Sequence, residues 1–185
     1  MLQARQRKLD PSARRVLRAA SVFGEAFWPS GIREILSDGT SAEEIEHWLD
    51  VLRDAEMVQA QSGRRFGAET ECRFQNALLR DAAYGMPADL DRQLAHRAAG
   101  LYLERQGERN AAVLAEHAHK GQEPERAAAF YVKAAQYAYD NGNLDGAIKL
   151  AEQAIGCGAK DEVFGDARRI QAWSHLWQGQ FPRAA

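Results

Sequence analysis

The phrase Gly142-Asn-Leu144-Asp-Gly-Ala147 returns 37 residues later as Gly179-Gln-Phe181-Pro-Arg-Ala184. In each copy a glycine ends one segment, a large apolar residue opens the next, and a small alanine follows where two helices must approach closely. A helix–turn–helix unit repeated at this spacing cannot bury its apolar side alone, so it must stack on its neighbours. The surrounding periodicity agrees: between Leu144 and Ile155 the residues Leu144, Ala147, Ile148, Ala151, Ala154 and Ile155 keep one face, and Gly156 and Gly158 stop the helix. Further helices are predicted over 89–105, 111–120, 124–139 and 160–177. This alanine-rich half reads as an α-α superhelical array.

The N-terminal half follows other rules. In LDPSARRVLRAASVFG the set Ala13, Val16, Leu17 and Ala20 recurs at i, i+3, i+4, i+7, with Asp10 as cap, Pro11 in the first turn and Gly24 after the end. A shorter helix is expected over 29–36. A third starts at Thr40 or Ser41, with Ile45, Trp48, Leu49 and Leu52 as its inner stripe. MVQAQSGRRFGAETECRF then alternates apolar and polar residues on both sides of a glycine-containing centre, the pattern of a two-stranded ribbon. Helix, helix, helix, hairpin is a winged-helix order. The expected fold is mainly α: a winged-helix domain with a small β-hairpin over 1–86, then tetratricopeptide-like repeats over 87–185.

The chain stops at GQFPRAA, a few residues into the second helix of its last repeat. An excised fragment is therefore expected, with the partner face of Trp173 and Trp177 missing. Of 185 residues 45% are apolar and 27% charged, which excludes a disordered or fibrous chain. A net charge of −2 gives no global pull toward nucleic acid or anionic lipid. Cys72 and Cys157 lie far apart, outside any CxxC spacing, so neither a disulfide framework nor a zinc site is expected. There is no signal-peptide pattern at the start and no apolar run of membrane-spanning length, so a cytoplasmic location is expected.

Motifs for chemistry are absent. GCGAK, Gly156 to Lys160, lacks phosphate-loop spacing, His117 and His119 fall on different sides of a helix, and no nucleophile sits in a recognisable elbow. The chain is not expected to be an enzyme or to hold a cofactor. A winged helix raises DNA binding as the alternative, a transcription regulator with the array recruiting a partner. Its third helix, however, carries Glu43, Glu44, Glu46, Asp50 and Asp54 against Arg53, and phosphates would repel it. A basic cluster at Arg5, Arg7, Lys8, Arg14, Arg15 and Arg18, with Arg64 and Arg65 in the wing, is a solvated face, a contact to an acidic neighbouring domain or a contact to nucleic acid.

LDPSARRVLRAASVFGEAFWPSGIREIL, RFQNALLRDAAYGMPADLDRQLAHRAAGLYLE and AAVLAEHAHKGQEPERAAAFYVKAAQYA together resemble the segment that follows the nucleotide-binding core in bacterial multidomain signal-transduction ATPases, the regulatory kind fused to serine/threonine kinases, adenylate cyclases or transcription activators. The resemblance implies a winged helix that closes over bound ADP in the parent chain and a histidine, in the pattern Phe-x-His-x-Leu-Leu-Arg-Asp, that reaches the phosphate. Phe74, Leu78, Leu79, Arg80 and Asp81 match; Asn76 stands at the histidine position. Asn76 is then either a weakened phosphate sensor, able to donate one hydrogen bond but not to become cationic, or simply a helix N-cap. Arg80 and Asp81 are either a surface ion pair or a contact to a neighbour, and Leu78 and Leu79 are expected to pack inward. The expected partners are an upstream nucleotide-binding domain and protein or peptide ligands of the array, contacted by Arg80, Tyr131, Tyr137, Trp173 and Trp177. Neither DNA nor a membrane is an expected partner.

Overall fold

The computed structural model describes residues 9–37, 39–61, 65–66 and 69–179. Among the described residues lie nine helices and three strands. The chain divides into two compact units, Met1–Gly107 and Glu108–Ala185.

In the first unit, helix α1 (Pro11–Val22) starts where Asp10 Oδ1 accepts the Ser12 N–H at 2.8 Å and where proline needs no N–H partner. Its face of Ala13, Val16, Leu17 and Ala20 is buried. Strand β1 (Ala26–Phe27), helix α2 (Pro29–Leu36) and helix α3 (Ala42–Asp54) follow. Helix α3 opens on a capping box: the Glu44 N–H donates to Ser41 Oγ at 3.2 Å, and the Ser41 N–H donates to Glu44 Oε2 at 2.9 Å. Ile45, Leu49 and Leu52 are buried, with Trp48 packed at the edge.

Strands β2 (Val58–Gln61) and β3 (Glu71–Phe74) form the expected antiparallel ribbon, Val58 opposite Phe74 and Gln61 opposite Glu71. Strand β1 is an addition to the sequence reading. It lies antiparallel on the other side of β3, Ala26 opposite Arg73, which gives the order β1-β3-β2. Two residues are too short to show alternation, so only the pairing partner reveals it.

Helices α4 (Ala77–Tyr84) and α5 (Asp89–Arg105) complete this unit. The division expected after residue 86 falls instead after Gly107, because α5 packs on α2 and α1. Gly31 permits the approach: a Cβ there would lie 2.7 Å from the Phe23 ring and 3.0 Å from the Tyr102 ring. Tyr102 is buried among aromatic rings, with Phe23 centred 5.7 Å away, while Trp28 and Phe66 are 4.6 Å apart. From the β2–β3 connection the Glu69 carboxylate accepts the Ser30 N–H at 2.6 Å, the Ser30 hydroxyl at 2.5 Å and the Tyr102 hydroxyl at 3.2 Å.

Burial, with the Glu69 charge beside it, pushes the Tyr102 phenol up to about 12. The folded state therefore favours the neutral phenol. The stability this group contributes is fully present below the unfolded value near 10 and is lost as the pH climbs through about 12, an effect of the order of 2 kcal/mol. Urea unfolding at about pH 9 and about pH 11.5 should show wild type losing more stability than Tyr102→Phe across that window.

Every element among the described residues of the second unit is a helix: α6 (Ala111–Lys120), α7 (Pro124–Asp140), α8 (Leu144–Gly156) and α9 (Asp161–Trp177), each packed on the next. Alanines make the close packing possible. Ala127, Ala135, Ala147, Ala151, Ala154 and Ala167 have no exposed surface, so the helices meet nearly backbone to backbone. The recurring phrase has a physical basis in its two glycines, which adopt the same left-handed conformation, φ 75° at Gly142 and 73° at Gly179. Within the first copy Asn143 caps α8 by accepting the Gly146 N–H at 3.0 Å, and any side chain at Gly146 would collide with the Asn143 amide. The residues of the second copy after Gly179 lie outside the described set.

Candidate functional site

Helix α9 packs against both α8 and α7. On α7, Gln136 and Tyr139 stand three positions apart on one side; on α9, Arg169, Trp173 and Trp177 follow at intervals of four, so they too share a side. Two hydrogen bonds bring these sides together. The Trp177 indole N–H donates to the Tyr139 hydroxyl oxygen at 3.0 Å, and Arg169 Nη2 donates to Gln136 Oε1 at 3.3 Å. Arg169 is also held by Asp166, at 3.1 Å. Trp177 is 71% exposed and Trp173 also stands in solvent. The outcome is an aromatic and polar face spanning α7 and α9. It offers indole planes for stacking, and donors and acceptors for a peptide backbone.

Trp173 and Trp177, two of the residues predicted from sequence, belong to this face. Tyr137 is exposed but lies two positions from Tyr139, about 200° around the helix, and so points elsewhere. Tyr131 is a correction: it is 5% exposed, packed in the alanine core, and its ring meets that of His119 edge-on with centroids 6.2 Å apart. Burial raises its phenol above the usual range. A tyrosine on an alanine-rich helix fills the space that its small neighbours leave, and its position among buried alanines was the available signal. Gln136, Tyr139 and Arg169 were not singled out from sequence, because nothing local shows that α7 and α9 lie side by side.

In the first unit Asn76 is the N-cap of α4, its Oδ1 accepting the Leu79 N–H at 3.0 Å. That bond fits the capping alternative. Asn76→Ala should cost about 1 kcal/mol in stability, whereas Asn76→Ser should stay close to wild type, as urea midpoints would report. Arg80 pairs with its neighbour Asp81, Nε and Nη2 reaching Oδ1 at 2.9 and 2.7 Å. Leu79 packs inward as expected, but Leu78 does not: it is 67% exposed, because the helix turns consecutive residues about 100° apart. On α3, Arg53 is held by Asp50 and by Glu46 at 3.4 Å, leaving the remaining carboxylates of that helix to set its charge. Arg5, Arg7, Lys8 and Arg64 of the basic cluster lie outside the described residues.

His119 Nδ1 and Cys157 Sγ approach to 3.1 Å. Burial raises the Cys157 thiol, the opposite of the lowering that activates a cysteine. Cys72 is buried and is raised for the same reason. Among the described residues no group of three or more His, Cys, Asp or Glu is placed to hold a metal ion. No helix among them is long and apolar enough to cross a membrane. No family model matches the chain, and neither a curated protein nor a solved structure matches it.

Proposed function

We propose that this chain is a non-catalytic regulatory and scaffolding segment of a bacterial signal-transduction ATPase, its first unit a winged-helix module that packs on a nucleotide-binding domain and its second a tetratricopeptide-like array that binds protein or peptide ligands. The observation that carries the proposal is the outward face joined by Trp177–Tyr139 and Arg169–Gln136, which offers side chains for recognition and none arranged for bond breaking. The order α1-β1-α2-α3-β2-β3, with β1 returning to β3, supports the winged-helix part. Helix α9 packing on both members of the α7/α8 pair supports the repeat part.

A ligand of the array shifts the parent protein between closed and open forms only by as much as its affinity for the two differs. DNA binding by the first unit is disfavoured by the carboxylates along α3 and by the docking of Phe66 and Glu69, from the wing, onto Trp28 and Ser30. Nucleotide recognition belongs to the upstream domain in this proposal. Calorimetric titration of the chain with ADP or ATP should give no binding stronger than about millimolar, a loss of more than 4 kcal/mol against a micromolar site. A micromolar affinity would contradict the proposal.

A further inference from the structure

Two phenylalanines of the second unit carry cations of their own: Arg126 and Lys133 lie 5.9 and 5.3 Å from the centre of the Phe130 ring, and Arg168 lies 5.4 Å from that of Phe164. Among the described residues none covers Trp173 or Trp177, although indole is the ring that holds a cation best. The Trp177 N–H is taken by Tyr139, which fixes one edge of the ring and leaves its face in solvent.

Carboxylates flank that ring. Gln136 Nε2 donates to Oδ1 of Asp140, the residue after Tyr139, at 2.7 Å, and Gln178 Nε2, one residue past Trp177, donates to Asp145 Oδ1 at 2.8 Å. A neutral amide orients a carboxylate without cancelling its charge. Among the described residues neither Asp140 nor Asp145 forms an ion pair, Asp145 not even with Lys149 one turn along α8, and the second oxygen of each makes no hydrogen bond. Arg169, the cation of this face, is paired with Asp166 at 3.1 Å and turns its Nη2 also on Gln136. The charges of Asp140 and Asp145 are therefore left uncancelled beside uncovered indoles.

We propose that the face across α7 and α9 takes a basic segment of a protein partner, an arginine or lysine side chain lying over the Trp177 indole with its charged end at Asp140, and an apolar neighbour of that residue packing on Trp173. This rests on the reading of the array as a peptide binder and names the class of peptide. Charge makes the selection: an acidic segment would meet two uncancelled carboxylates where Arg169 already has its partner. A wholly apolar segment would strip water from Asp140 and Asp145 and put nothing in its place.

The test pans a random dodecapeptide library on the full chain and on Trp177→Ala, keeps the sequences lost on the variant, and measures them by fluorescence anisotropy. Arginine or lysine should be enriched in those sequences. Replacing that residue by glutamine should weaken the Kd about tenfold, and Asp140→Asn should weaken the original peptide by a similar factor. The two changes should not add: Asp140→Asn should leave the glutamine peptide within about twofold, a coupling that a general loss of structure would not give. Asp140 is exposed and asparagine keeps an oxygen for Gln136, so the variant should fold; Asp145→Asn repeats the test on the other flank. Sequences that depend on Trp177 but show no basic enrichment, or favour aspartate and glutamate, would overturn this inference and leave peptide binding in place. No sequence dependent on Trp177 would remove both. Unchanged affinity in both aspartate variants would also overturn it, as would arginine methyl ester binding as tightly as the peptides, or a dimer in sedimentation that Trp177→Ala abolishes.

Discussion

Phe27→Ala should lose about 3–5 kcal/mol, a large share of the usual stability of about 5–15 kcal/mol. Phe27 has no exposed surface and packs on Phe74 with ring centroids 5.3 Å apart. It also sits on β1, paired opposite Cys72 at the centre of the sheet. Truncating it removes the side chain that ties the outermost strand to the helical core, and the surrounding Leu49, Leu52 and Leu17 cannot collapse far into the void without moving their helices. Trp28, adjacent and buried, reports the change: its emission should shift to longer wavelength at a much lower urea concentration than in wild type. A change below about 1 kcal/mol would mean that the sheet is not part of the core.

Helices were legible wherever one mechanism set both the pattern and the boundary. Asp10 and Ser41 each announce a helix start in the sequence and make the bond in the structure. The burial of Ile45, Leu49 and Leu52 followed from spacing alone, as did the two-stranded ribbon. Strand β1 was not legible, since a two-residue strand exists only through its partner. Helix α5 was placed correctly along the chain but assigned to the wrong neighbour. Its two apolar sides cancel in any one-sided pattern, and only the gap above Gly31 shows which side packs inward. The candidate face was half legible: exposed tryptophans could be guessed from a helix with more aromatic residues than one buried side needs, but their contacts to Tyr139 and Gln136 depend on how α7 and α9 are arranged. Tyr131 failed because a large residue amid alanines is a core filler as readily as an anchor.

The second large effect concerns recognition. Trp177 is exposed, so removing it should alter folding by less than about 0.5 kcal/mol apart from its one bond to Tyr139. In the proposed complex the same ring would be covered, with its orientation fixed by the indole N–H bond to Tyr139. Aromatic anchors of this kind carry about 2–4 kcal/mol at interface centres, which is about 30-fold or more in affinity. Trp177→Ala should therefore separate binding from stability, leaving the unfolding midpoint in place while abolishing most of the affinity.

The most direct measurement is a selection of peptides from a random library on the wild-type chain, with the Kd of the enriched sequences then compared between wild type and Trp177→Ala by anisotropy. The account predicts enrichment of peptides with micromolar Kd, whose affinity falls about 30-fold in the variant. No enrichment, or peptides that bind both proteins equally, would contradict the claim that the face across α7 and α9 is where this chain recognises its ligands.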